Sequence, residues 1–133
     1  MRLVLTRLLP GTDLKKGILD LCEYEHLQTA IVISAVGSLT ESVLRTADGK
    51  TLFAKIGPFE LTSLSGTISH GKAHLHCSLY DRDMITIGGH VMEGCLVHTT
   101  MEVCLLGLDE EVSTERLFDP STGYDELLVH PKK

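Results

Sequence analysis

The sequence predicts an α+β domain, a mixed and mostly antiparallel sheet with one long helix packed on it, and three observations carry that reading. One stretch near the N-terminus repeats its apolar residues at three- and four-residue spacing. The remainder is made of runs rich in Val, Ile, Leu and Thr, and turn dipeptides such as Asp48-Gly49 separate those runs.

In chain order, residues 2–9 are apolar around Arg2 and Arg7 and read as a first strand that ends at Pro10-Gly11. Thr12 or Asp13 offers a helix N-cap, and Leu14, Ile18, Leu21, Cys22 and Leu27 place one apolar stripe on a helix over 13–27. The strand candidates that follow are 30–39, 42–46, 51–56, 59–69, 72–80, 85–92 and 95–106. His70-Gly71, Asp81 to Asp83 and Glu93-Gly94 serve as connections. The segment after Asp109 is acidic and carries Pro120, Gly123 and Pro131, so it is expected to be an irregular extension lying on the surface or on a neighbouring subunit. A chain of 133 residues is expected to form a single domain over 1–133, with its core at about 2–108 and the extension at 109–133.

Charge excludes more than it identifies. Eighteen acidic residues outnumber twelve Lys and Arg, the net charge is −6, and the cations are scattered, which argues against a grip on nucleic acid through phosphate neutralisation. An anionic membrane is disfavoured for the same reason. The N-terminal run is interrupted by Arg7 and has no signal-peptide core, and no segment reaches the length of a membrane span, so a cytoplasmic location is expected. Cys22, Cys77, Cys95 and Cys104 form no C-x-x-C pair and read as reduced thiols, mostly in apolar runs. The mean hydropathy of +0.13 leaves a small apolar surplus that suits an oligomer.

Three histidines carry the chemical signal. His74 and His76 sit two apart in a predicted strand, so their imidazoles leave one face while Leu75, Cys77 and Leu79 leave the other. His90 follows Gly88-Gly89 in the next strand candidate and reaches the same place across an antiparallel hairpin. Three neutral imidazoles suit zinc or another divalent transition metal and leave a coordination position open for water or a small molecule. The competing reading makes them hydrogen-bonded polar residues on a sheet face, with the glycines marking a bulge or a close backbone contact. Glu102 alternates with Met101 and Val103 on a later strand. If its face adjoins the histidines, it can orient an imidazole, ligate the metal or act as general base on metal-bound water; otherwise it is a solvated or interface carboxylate. Ser63, Ser65 and Ser78 lack a nucleophile motif, and His26, His70 and His130 have no partner in the sequence.

Several stretches together resemble one family. Gly57-Pro58-Phe59-Glu60-Leu61, continuing through Ser69, is followed by Ala73-His74-Leu75-His76-Cys77-Ser78-Leu79, Ile87-Gly88-Gly89-His90, Gly94 and Thr99 to Val103. With Arg7-Leu8, Gly11, Asp13-Leu14 and Ser34 to Leu39, these resemble the plants and prokaryotes conserved domain, over about Arg7 to Leu106. The resemblance implies an α+β fold, a homotrimer and a metal-binding unit at His74, His76 and His90. Plant members of that family carry the domain behind AT-hooks in nuclear DNA-binding proteins. This chain has no Gly-Arg-Pro core flanked by basic residues, so direct DNA contact does not carry over.

Three functions follow as expectations. The first is a stand-alone homotrimer with a three-histidine metal site, regulatory or DNA-associated. The second is a metal-dependent hydrolase or lyase acting on a small molecule, with Glu102 as general base. The third is an assembly module whose histidines are satisfied by hydrogen bonds.

Overall fold

In the computed structural model, which describes residues 1–132, the chain starts with β1 (Arg2–Leu8) and α1 (Leu14–Tyr24). Six strands continue it: β2 (Thr29–Arg45), β3 (Leu52–Ser69), β4 (Lys72–Tyr80), β5 (Thr86–Val91), β6 (Leu96–Gly107) and β7 (Val112–Asp119). It closes with β8 (Tyr124–Pro131).

Asp13 caps the helix as its residue type predicts. One carboxylate oxygen accepts from the Lys16 amide at 2.9 Å, and the other accepts from the Gly94 amide at 2.6 Å, which ties α1 to the turn before β6. Leu14, Ile18 and Cys22 face the core. The helix ends at Tyr24, short of the expected 27, in a paired C-terminal closure: the Leu27 amide donates to the Cys22 carbonyl at 2.8 Å and the His26 amide to the Glu23 carbonyl at 3.1 Å, with His26 at φ 57°. Leu27 therefore reaches the core from beyond the left-handed turn, and its helical spacing reflects that contact rather than another helical turn.

These findings correct the expected class. Among the described residues the fold is mostly antiparallel β, its one helix has 11 residues, and every strand ladder is antiparallel, in place of an α+β arrangement of a mixed sheet and a long helix. Several strand candidates also merge. The 30–39 and 42–46 runs are one strand, β2, and 51–56 and 59–69 are one strand, β3. Pro58 survives inside β3 because the register shifts there: Leu39 faces Phe59, then Glu41 faces Ile56, so the Gly57-Pro58 pair falls in a bulge that needs no ladder hydrogen bond.

The main sheet runs β1-β6-β2-β3-β4-β5 and curls until β5 returns to β2, where Leu44 pairs with Val91 and Arg45 with His90. Its inner face is the core, filled by residues such as Leu39, Phe59, Leu75, Leu79, Val97 and Met101. That inward set leaves the alternate positions of β4, His74 and His76, on the outer surface.

The segment expected to be irregular is a second sheet, the β7-β8 hairpin. Asp119 shapes its turn by accepting from the Ser121 amide at 2.8 Å, and Gly123 takes φ 81°. Buried Thr114 anchors the hairpin on the main sheet, its hydroxyl lying 2.8 Å from both the Thr29 and the Ser69 hydroxyls. Arg116 adds a 2.9 Å hydrogen bond to Thr67.

Candidate metal centre

The β4-β5 ladder sets His76 opposite His90, and the β2-β5 ladder sets Arg45 opposite His90. Cross-strand partners bring side chains to about 5 Å of each other, so the register alone assembles a row of Arg45, His90 and His76. His74 joins it from two residues away on the same face of β4. Close strand approach here depends on glycine. A Cβ on Gly88 would stand 2.6 Å from the Cys77 carbonyl oxygen, and one on Gly66 would stand 2.1 Å from the His74 carbonyl oxygen.

One ligand nitrogen from each of His74, His76 and His90 lies within 4.8 Å of the others, and the ring centres are 4.9, 5.4 and 5.5 Å apart. The His74 and His76 Nε2 atoms are 3.2 Å apart. Two imidazoles bound at about 2.0–2.1 Å in a tetrahedral shell stand about 3.3–3.4 Å apart, so the pair is already at bridging distance. A single N–H donated from one ring to the other gives the same separation in one tautomer. His90 differs from that pair: its Nδ1 is buried with no hydrogen-bond partner, which the hydrogen-bonded reading does not account for.

Burial and nearby positive charge favour the neutral form of His90 and of His74. Burial, then the Arg45 guanidinium, then the neighbouring histidines hold His90 down to about 4, and burial followed by His76 lowers His74. A neutral imidazole is the form that ligates. Cys77, behind the cluster on the inner face, is pushed up to about 12 by burial and offers no thiolate at neutral pH.

Glu102 lies elsewhere. It is exposed on β6, opposite Arg7 of β1 and Val36 of β2, and it neither joins the histidine cluster nor lines the cleft above it. That cleft, about 830 Å³, opens between the histidine face and the C-terminal hairpin. Arg45, Arg116, Tyr124 and the Lys72-Asp125 pair line it beside the histidines. Sequence reasoning missed Arg116 and Tyr124 because it read their segment as irregular. The signal was present in the β-prone Val112, Thr114, Leu117 and Phe118, the Asp119 to Gly123 turn residues, and a second apolar run after Tyr124.

Residues 1–109 match the Plants and Prokaryotes Conserved (PCC) domain. The chain belongs to that family. The structure superposes on a hypothetical protein from Salmonella enterica with a TM-score of 0.93 at 32% identity, covering 99% of this chain and 95% of that one. A metal-containing protein from Archaeoglobus fulgidus aligns with a TM-score of 0.78 at 29% identity, over 96% and 94% of the two chains. In sequence the chain is 41% identical over 127 residues to the bifunctional protein GlmU of a Synechococcus strain, over 94% of this chain. It spans about a fifth of that protein's length. No helix among the described residues is long and apolar enough to cross a membrane.

Proposed function

We propose that this PCC-family chain is a metal-binding protein that holds one divalent transition metal, of the zinc type, on His74, His76 and His90, and that it works as a homotrimer with a regulatory role. The convergence of one ligand nitrogen from each of His74, His76 and His90 within 4.8 Å carries the reading, and the unpartnered His90 Nδ1 is consistent with it. A structural neighbour from Archaeoglobus fulgidus that is itself metal-containing supports it. When bound, the metal supplies a Lewis-acidic centre with a position left open by three protein ligands. The chain's own residues orient it: the β4-β5 register fixes His76 against His90, and Gly88 lets the two strands close.

Assembly draws support from another flank. Leu3 and Leu5 on β1 and Ile33 and Val36 on β2 are exposed, an apolar surface suited to burial between copies. Association with DNA enters this reading only through a partner, because the charge balance of the chain supplies no phosphate-binding stripe.

The open cleft favours a second reading, a metal-dependent hydrolase or lyase. Glu102 of the same chain lies off that cleft, so it can act there as general base only if a second copy brings it in. Elemental mass spectrometry of untagged protein, together with light scattering after gel filtration, tests the first reading. Near-stoichiometric transition metal in a trimer is expected, with metal lost and trimer kept in His76→Ala and His90→Ala. Metal-free wild type after incubation with zinc overturns it, and the assembly-module function then stands.

A further inference from the structure

Two arginines in the cleft lack a counter-charge. Lys72, at its edge, pairs with Asp125 at 3.4 Å, whereas neither Arg45 nor Arg116 has a carboxylate within 4.0 Å among the described residues. Arg45 is half-buried, its Nε is buried without a hydrogen-bond partner, and its guanidinium carbon lies 5.6 Å from the centre of the Tyr124 ring. Arg116 reaches the same cleft from β7 and spends one NH2 donor on Thr67. A buried guanidinium donor left unpaired is costly, so its retention beside three metal-ligating imidazoles calls for an acceptor that arrives from outside.

We propose that the cleft binds a small molecule through an oxyanion group, a carboxylate or a phosphate, which takes the metal's open position and is held by the guanidinium groups of Arg45 and Arg116. The inference rests on the metal reading above. Two features fit this ligand class. Guanidinium forks match planar or tetrahedral oxyanions with parallel N–H donors. The register that puts Arg45 opposite His90 sets a fixed cation beside the metal, so one anion can engage both. Asp125 is neutralised by Lys72, which leaves Glu126 as the opposing carboxylate on the lining and bars a ligand that fills the rim with negative charge. A volume of about 830 Å³ has room for an organic body behind the anionic head, with the exposed Tyr124 ring as one wall.

The test titrates zinc-loaded protein by calorimetry with inorganic phosphate and, separately, with malonate, at constant ionic strength set with potassium chloride. Zinc content is measured on the same samples, and circular dichroism confirms folding. Saturable binding of at least one anion is expected. Arg45→Gln should weaken it roughly 10- to 100-fold with zinc retained, and Arg45→Lys, which keeps charge but loses the fork, should fall between. Phosphate binding without malonate binding assigns a phosphoryl ligand, and the reverse assigns a carboxylate. Zinc retained with no binding of either anion, or with binding unchanged in Arg45→Gln and Arg116→Gln, overturns the oxyanion site while leaving the metal site standing. Zinc absent from wild type overturns both.

Discussion

The two walls of the cleft come from different parts of the chain. The β4-β5 wall lies within residues 1–109, which match the family, and it supplies all three imidazoles. The β7-β8 wall begins at Val112, beyond that match, and supplies Arg116 and Tyr124. Ladder register and glycine clearance set the geometry of the first. The second is held on by the Thr29-Thr114-Ser69 hydroxyl cluster and one arginine hydrogen bond. The difference teaches that the geometry of the histidine cluster is set within the main sheet, while the opposite wall of the cleft is set by a separate hairpin held on by a few polar contacts.

Damage to each wall therefore has a different signature. The largest effect belongs to the ligands: His76→Ala or His90→Ala should lower zinc affinity by more than the about 10- to 100-fold typical of losing an outer partner, measured by competition with a chromophoric chelator. Gly88→Ala comes next. Its Cβ would meet the Cys77 carbonyl oxygen at 2.6 Å and force β5 away from β4, costing about 1–3 kcal/mol in urea unfolding and weakening zinc binding by displacing His90.

Thr114→Val separates the walls. Losing the central hydroxyl of the buried cluster should cost about 1–3 kcal/mol and raise hydrogen exchange in residues 112–131, with zinc affinity unchanged. A drop in zinc affinity in this variant would mean the hairpin also positions the histidines. The smallest effect lies at the β2-β3 turn, where Gly49 packs under Tyr124. Hydroxyl and amide donors of Thr51, with the Lys50 amide and Thr46 hydroxyl, hold the Asp48 carboxyl well below the usual carboxylate range. Its folded pKa is depressed, so its stabilisation is present above the ordinary value of 3.8 and is lost as pH falls from there through the lower folded value. Thermal unfolding should therefore show Asp48→Ala a few degrees below wild type at pH 7, a gap that begins to narrow as pH falls through about 3.8 and closes towards the lower folded value.

The first wall was legible in the sequence because its information is local. A period of two puts His74 and His76 on one face, and Gly88-Gly89 before His90 marks the close approach the structure shows. Helical spacing found α1 but overran it, since spacing alone does not distinguish a further turn from a residue such as Leu27 that packs after a left-handed cap. Glu102 shows a different limit. Alternation identifies the outer face of β6 but not how far that strand lies from β4, and within one chain β2 and β3 stand between them in the sheet. Arg45 was not recognised either, because its importance comes from β5 returning to β2, a non-local pairing that no short window contains.

Anomalous diffraction at the zinc edge from crystals of the zinc-loaded protein tests the central claim most directly. A single strong peak about 2.0–2.1 Å from a nitrogen of each of His74, His76 and His90 is the expected result. An empty histidine cluster with no anomalous peak, or a peak held by other residues, would contradict it.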